Sequence, residues 1–244
     1  MKPSQETVLV TGYRGFIGSH LWEALKHRSR IGIDRKEGQE ILDCELPSAG
    51  LVYHLAAHTN VVDSVIDPIA DARDNVLATS RIVQRYYDKR IIYPASGASI
   101  DPLSPYGVSK LAGEHYVKLS KNWVIVRFPN IFDESANQGL IPTILKSDVI
   151  TIYGDGEQTR DFVHVSDAVR ALKEAASWPS GEYSISSGKS TKIIDIAKAT
   201  GKEIRFLPPR PGEKIESSLQ NTAPGWEATV DVIDYVIRRS GHSA

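Results

Sequence analysis

The chain has 244 residues and a formal net charge of -1, so it can bury a sizeable core and has no general attraction for nucleic acid or an anionic membrane. Cys44 is its only cysteine, which excludes an intramolecular disulfide and argues against a cysteine-built metal site. No apolar run reaches bilayer length, and Met1 to Glu6 is short and polar, so the expectation is a compact cytoplasmic protein with no metal and no targeting segment.

Taken in chain order, Thr7 to Thr11 is a β-branched run bounded by glycine, the pattern of a buried strand. Phe16, Ile17, Leu21 and Leu25 recur at the spacing of a helix face and predict a helix over Phe16 to His27. Ile31 to Asp34 reads as a second strand, Glu40 to Asp43 as a brief third, and Leu51 to Leu55 as a fourth. A long helical pattern runs from about Pro68 to Asp88, followed by a strand at Arg90 to Tyr93. Pro105 fits the first turn of a helix predicted to reach Leu119, where its missing N–H costs nothing. Trp123 to Arg127 is the next strand. Beyond it the pattern loosens, with short helices expected at about Leu140–Lys146, Ser166–Ser177 and Lys192–Ala199 and a last one from Ala228 to Arg239.

Three glycines, Gly12, Gly15 and Gly18, sit directly after the first strand and at the start of the first helix. A dinucleotide site needs such a loop for a tight turn, for close backbone approach to a pyrophosphate, and for a helix N-terminus whose free N–H groups face the phosphates. An ordinary glycine-rich turn has the same look, so the motif alone does not decide. Asp34 does more, because it ends the second strand where a carboxylate can bind both adenosine ribose hydroxyls and would repel a 2′-phosphate. That favours NAD over NADP, although Arg35 beside it is able to pair with a 2′-phosphate. Strands alternating with helices around this loop predict an α/β fold, a Rossmann-type doubly wound parallel sheet. Residues 1–128 plus about 160–178 would form the NAD-binding domain, and about 129–159 with 181–244 a small C-terminal substrate-binding lobe.

Downstream, Tyr106 and Lys110 are four apart on one predicted helix, so they share a face. A free phenol titrates near ~10, and a neighbouring ammonium favours its ionised form, as an acid/base at neutral pH requires. In a chain with 10 tyrosines this spacing arises easily by coincidence on a solvated face. Position counts for more, since Ser96 closely follows the preceding strand.

With these residues in hand, the chain resembles the extended short-chain dehydrogenases/reductases, specifically the nucleotide-sugar epimerase/dehydratase family. Thr11 to His20 resembles that family's cofactor loop, and His54-Leu-Ala-Ala57 the end of its fourth strand. Asn75, Arg127-Phe-Pro-Asn-Ile-Phe132, the long run Ile152 to Asp167, and Arg210-Pro-Gly-Glu213 match further segments, so the resemblance covers residues from about 7 to 226. It implies cofactor contacts from the glycine loop with Arg14, Phe16 and Ile17, and from Asp34, Arg35 and Asp43 beyond the second strand. Leu55, Ala56, Ala57, Asn75 and Phe128 would add to them, with Tyr106 and Lys110 at the nicotinamide end. Ser96 would hydrogen-bond the sugar hydroxyl, Tyr106 would take its proton, and Lys110 would also hold the nicotinamide ribose. Asn130, Arg160 and Arg210 would bind the nucleotide diphosphate, for which guanidinium groups are suited, and Tyr153 would line the base pocket. For Arg160 the plainer alternative is an ion pair with Asp161 beside it, and Tyr153 could equally be core.

Within the resemblance, the reaction is narrowed by what is missing. The family's dehydratases carry an Asp-Glu pair directly after the Ser/Thr, where this chain has Gly97-Ala98, and its decarboxylases carry a glutamate at the place of Ala98. The Cys/His pair of its epimerase-reductases finds no counterpart, because Cys44 lies on the cofactor side and reads as a small buried hydrophobe. A 4-epimerase of a UDP-hexose, with NAD tightly held, needs no further side chain and is the reaction expected. The alternatives are another nucleotide-sugar-modifying member of the family or a trimmed NAD-binding sensor without turnover. The chain is short for the resemblance. Only Cys44 to Gly50 separates the expected third and fourth strands, so one helix should be missing and some sheet exposed, and the nine residues between Ser96 and Tyr106 suggest an open sugar pocket. The helices at about Pro68–Asp88 and Pro105–Leu119 resemble those that pair across a two-fold, so a homodimer is expected, with Arg73, Arg81, Arg85 and Lys118 on their outer faces.

Overall fold

A computed structural model of the protein describes residues 6–209, 216–217 and 219–241. The chain opens with strand β1 (Val8–Thr11), helix α1 (Phe16–Ala24), strand β2 (Arg30–Ile33) and strand β3 (Leu51–His54). A helical stretch follows, made of α2 (Val61–Ile66), α3 (Pro68–Ala72), a π-helical turn at Arg73–Leu77, and α4 (Ala78–Arg85). Strand β4 (Arg90–Ser96), a 3-10 turn at Gly97–Ser99, α5 (Pro105–Lys118) and β5 (Asn122–Phe128) come next. The later part holds β6 (Asn130–Phe132), α6 (Leu140–Lys146), β7 (Val149–Tyr153), β8 (Thr159–Arg160), β9 (Phe162–His164) and α7 (Val165–Ala175). It ends with β10 (Gly181–Ser184), β11 (Thr191–Lys192), α8 (Ile193–Lys198), β12 (Glu203–Leu207), β13 (Glu216–Ser217) and α9 (Val232–Arg239).

Six strands form the main sheet in the order β10-β5-β4-β3-β1-β2. β1 pairs in parallel with both β2 and β3, and β3 with β4, which is the Rossmann-like parallel arrangement expected from the alternating pattern. The helix starts follow local chemistry. Asn60 accepts from the N–H of Val62 and Asp63, Asp67 from Ala70 N–H ahead of Pro68, and Ser104 from Gly107 N–H ahead of Pro105.

The chain divides into two compact units, one of residues 1–127 with 169–183 and one of residues 128–168 with 184–244. Each has its own apolar core. In the first, Leu9, Val52, Ile82, Ile91 and Ile125 are buried together, and in the second Phe132, Ile141, Ile152, Ile196 and Val236. The second unit is built on small sheets, with β6 parallel to β9 and β7 parallel to β12.

The structure corrects several expectations. Glu40–Asp43 forms turns and not a strand, so the sheet ends at β2. The expected missing helix and exposed sheet are seen at the edge, where Ile31 of β2 stays exposed, while Ile41, Leu46 and Ala49 pack into the core beside it and Cys44 is half-buried against them. Arg81 donates to the carbonyls of Ile41 (2.5 Å) and Cys44 (2.8 Å), Arg85 to that of Leu46 (3.3 Å), and the Tyr86 hydroxyl to that of Pro47 (2.6 Å). These two arginines therefore turn back onto their own chain. Helix α2 was not foreseen, because its exposed valines carry no amphipathic signal; the cap at Asn60 is the sequence mark it leaves. Finally, the segment that rejoins the first unit is 169–183, later than the 160–178 expected, and it ends in β10, the strand added to the main sheet.

Candidate active site

The glycine loop is tight for reasons of contact. Gly12 has φ +71, a left-handed conformation that favours glycine, and a Cβ there would lie 2.6 Å from Ala56 N. A Cβ on Gly18 would lie 2.0 Å from Gly12 O, so α1 starts hard against the loop. Gly15 caps α1 with no side chain to take up the first-turn N–H groups, and Phe16 and Ile17 supply that first turn. The helix end is thus free to face an anion.

Asp34 lies directly after β2 and is buried. Its carboxylate accepts from Arg14 N–H at 2.8 Å and Lys36 N–H at 2.9 Å, which orients it at the end of the strand beside the loop. Two backbone donors leave carboxylate lone pairs for ribose hydroxyls. Arg35 is held by Glu40 at 3.1 Å and Asp74 at 3.0 Å, which raise its pKa, Asp74 first. A guanidinium engaged by two carboxylates is poorly placed to receive a 2′-phosphate. Arg14 pairs with Glu37, and Asp43 is mostly exposed and pairs with Arg73 at 3.5 Å. The loop, the free helix start and the oriented acid fit NAD, for which Gly12, Gly15, Gly18 and Asp34 are the residues suited to hold the pyrophosphate and ribose.

Behind the loop runs a buried polar chain. Thr79 donates to Asn75 O at 2.6 Å, so its oxygen receives His54 Nε2–H at 3.0 Å, and Thr11 donates to His54 Nδ1 at 2.8 Å while accepting Ala56 N–H at 3.2 Å. This order fixes His54 as the neutral Nε2–H tautomer. Burial, followed by the Lys110 charge, pushes its pKa down to about 3. Leu55, Ala56 and Ala57, half-buried, follow at the carboxyl end of β3, where open parallel sheets bind ligands. Asn75 lies in the π-helical turn and is 1% exposed. Its amide bonds His58 through both backbone groups, and also Asp71 and Ser109, so it braces this end of the sheet from behind.

Ser96 closes β4, and its hydroxyl accepts Ala98 N–H at 3.2 Å, starting the 3-10 turn. Tyr106 sits in the first turn of α5, half-buried, its N–H bound to Ser64 Oγ at 3.1 Å. Lys110, one turn on, is 5% exposed and donates to Pro94 O at 2.9 Å, with its ammonium 4.2 Å above the Tyr93 ring. Burial pushes the Lys110 pKa down, while Tyr106, Glu114 and Asp71 act against that. Gly113 lets α5 approach Tyr93, whose hydroxyl would lie 2.4 Å from a Cβ there. The pair expected from spacing therefore sits on one packed helix beside the end of β4. Sequence reasoning passed over Ser64, Ser99 and Glu114, although Glu114 lies four residues past Lys110 on that same face.

In the second unit, Asn130 opens β6 and bonds Asp161 O through both its backbone N–H (3.2 Å) and its side-chain amide (3.0 Å). Phe128, just before it, is buried, and Tyr153 at the end of β7 is half-buried. Arg160 in β8 is half-buried and donates to Thr159 O at 2.8 Å, whereas the Asp161 carboxylate is turned to the N–H and hydroxyl of Ser187. Arg210 lies outside the described residues.

Residues 8–186 match the NAD dependent epimerase/dehydratase family. The chain belongs to this family. It is 31% identical to a putative UDP-glucose 4-epimerase of Methanocaldococcus jannaschii, over 95% of this chain and 96% of that protein. Among solved structures, MoeE5 in complex with UDP-glucose and NAD superposes with a TM-score of 0.84 at 27% identity, covering 96% of this chain and 97% of MoeE5. A UDP-N-acetylglucosamine 4-epimerase of Methanobrevibacter ruminantium shares the fold, with a TM-score of 0.85 at 24% identity over 98% of each chain.

Proposed function

We propose that this protein is an NAD-dependent nucleotide-sugar 4-epimerase with a UDP-hexose as substrate. The observation that carries the reading is the pairing of an intact Ser96, Tyr106 and Lys110 with a turn, Gly97–Ser99, that offers no acid. Bound NAD supplies a hydride acceptor able to return the hydride to either face of a ketone. Tyr106 removes the proton of the sugar's C4 hydroxyl and later gives it back, with the buried Lys110 charge favouring the phenolate. Ser96 hydrogen-bonds the same hydroxyl and keeps it in line with Tyr106. An acid at position 97 or 98 would divert the ketose into elimination or decarboxylation, and Gly97 and Ala98 leave it to be reduced again. On the second unit, Asn130, Tyr153 and Arg160, together with Arg210, are assigned to the nucleotide diphosphate and base.

The test is incubation with UDP-glucose, UDP-N-acetylglucosamine and their uronates. A 4-epimer of at least one is expected, and the absence of any 4-epimer ends the reading. We also propose a cytoplasmic homodimer. Ile69 and Leu77 on one helical stretch, Val108 and Tyr116 on α5 and Leu119 just after it are exposed apolar side chains, while Arg81 and Arg85 are occupied by carbonyls of their own chain. Sedimentation should give twice the 26.9 kDa chain mass. Among the described residues no helix is long and apolar enough to cross a membrane.

A further inference from the structure

Helix α5 carries a third polar residue in line with Tyr106 and Lys110. Positions 106, 110 and 114 are spaced by four, so the three side chains stack along one face. Glu114 has no exposed surface. One of its oxygens accepts from Arg127 Nη2 at 2.5 Å, and the other is hydrogen-bonded to the hydroxyl of Ser99. The same hydroxyl oxygen lies 2.6 Å from the carbonyl oxygen of Ser96, so its one proton is shared between the carboxylate and the carbonyl.

Two further contacts bring α5 onto the same segment. Lys110 holds the Pro94 carbonyl at 2.9 Å, two residues before Ser96. A Cβ on Gly107 would lie 2.7 Å from the Ala98 carbonyl, so only glycine lets the helix seat against the 3-10 turn. The end of β4 is thus gripped from one helix on both sides of Ser96. The outer end of the network closes on α5 as well, since Arg127 lies 3.6 Å from Glu182, which pairs with Lys118 at 2.7 Å.

A buried ion pair is a poor device for stability alone, because taking two charges out of water is costly and apolar residues of the same shape would pack as well. This pair is also incompletely satisfied, with Arg127 Nε buried and lacking a hydrogen-bond partner. What it does provide is geometry. We infer that Glu114, acting through Ser99, is a positioning residue that sets the Ser96 hydroxyl relative to Tyr106. Its functional readout rests on the epimerase reading above, whereas its structural readout does not.

Ser99→Ala is the cleaner variant, since it cuts the link to Ser96 and leaves the Glu114–Arg127 pair in place. Amide hydrogen exchange at Ala98 and Ile100 is expected to quicken at least about tenfold. The kcat for the nucleotide sugar is expected to fall about tenfold or more, with KM and NAD affinity within about twofold. Adding Glu114→Gln to Ser99→Ala is expected to lower stability further without a further loss of kcat, because both changes cut one path. Unchanged exchange in Ser99→Ala overturns the inference, as does faster exchange with an unchanged kcat. A merely structural role would move stability and leave kcat per folded molecule where it was. If the parent protein turns over no nucleotide sugar, the epimerase reading fails and the exchange measurement still decides the coupling.

Discussion

The segment between β2 and β3 and the turn after β4 both lack strand or α-helix, and both are fastened by polar side chains reaching from a helix. In the first, Arg81, Arg85 and Tyr86 of the α4 end hold the carbonyls of Ile41, Cys44, Leu46 and Pro47. In the second, Lys110 and Glu114 of α5 hold Pro94 directly and Ser96 through Ser99. The difference is burial. Arg85 is exposed and Arg81 half-buried, whereas Lys110 and Glu114 are both buried. The first device replaces lost secondary structure at an edge of the sheet. The second, on the proposed function, would fix the position of individual atoms next to the substrate hydroxyl. An edge can be trimmed if carbonyls still find donors, but a site tolerates little displacement.

The sharpest way to break this comparison is at the centre. Tyr106→Phe is expected to lower turnover by about a thousandfold while nucleotide-sugar and NAD binding, read by calorimetry, stay within about twofold. Activity within tenfold of the parent would remove Tyr106 from the proton transfer. Next comes the cofactor end. Asp34→Ala should weaken NAD by about 10- to 100-fold, the worth of charged hydrogen bonds to ribose. An unchanged NAD titration would show that the carboxylate faces elsewhere.

At the edge, Arg81→Ala should cost about 1–3 kcal/mol in urea unfolding, because two carbonyls lose their donor, yet leave kcat within about twofold. A large loss of kcat at full folding would mean that edge and centre are not independent. The last effect appears only in acid. His54 has a folded pKa of about 3 against an ordinary 6.5, so between these values the unfolded chain binds a proton that the folded chain does not. Stability should therefore be full above about 6.5 and decline as pH falls through this window, by up to about 1.4 kcal/mol per unit from this one residue. In His54→Gln, which can still donate to Thr79 and accept from Thr11, that slope should shrink. Identical acid unfolding curves for parent and variant would rule out the buried neutral imidazole as its source.

Much of this molecule is legible in its sequence because the informative patterns are local. The apolar runs at Val8, Leu51 and Trp123, the glycine loop, and Pro105 in the first turn of a helix each describe the structure around them. The spacing of Tyr106 and Lys110 places both on one face of α5 without reference to anything distant. Asp34 is equally local, since its place after β2 follows from the length of the strand.

Tertiary structure decided the rest. Glu40–Asp43 has the composition of a short strand, yet no partner follows β2, and a strand without a neighbour cannot satisfy its backbone; it became turns tied to α4. Arg81 and Arg85 looked like an outward charged face because periodicity cannot report a carbonyl about 40 residues away in the chain. The same holds for Glu114. Its helix face could be read from the sequence, but not that Arg127 and Ser99 would meet it there, since that depends on how β5 and the turn after β4 pack against α5. The sequence by itself determined which residues have the chemistry for this family's reaction. The fold decided which of them are buried, which are already bonded to their own chain, and therefore which are left to face a substrate.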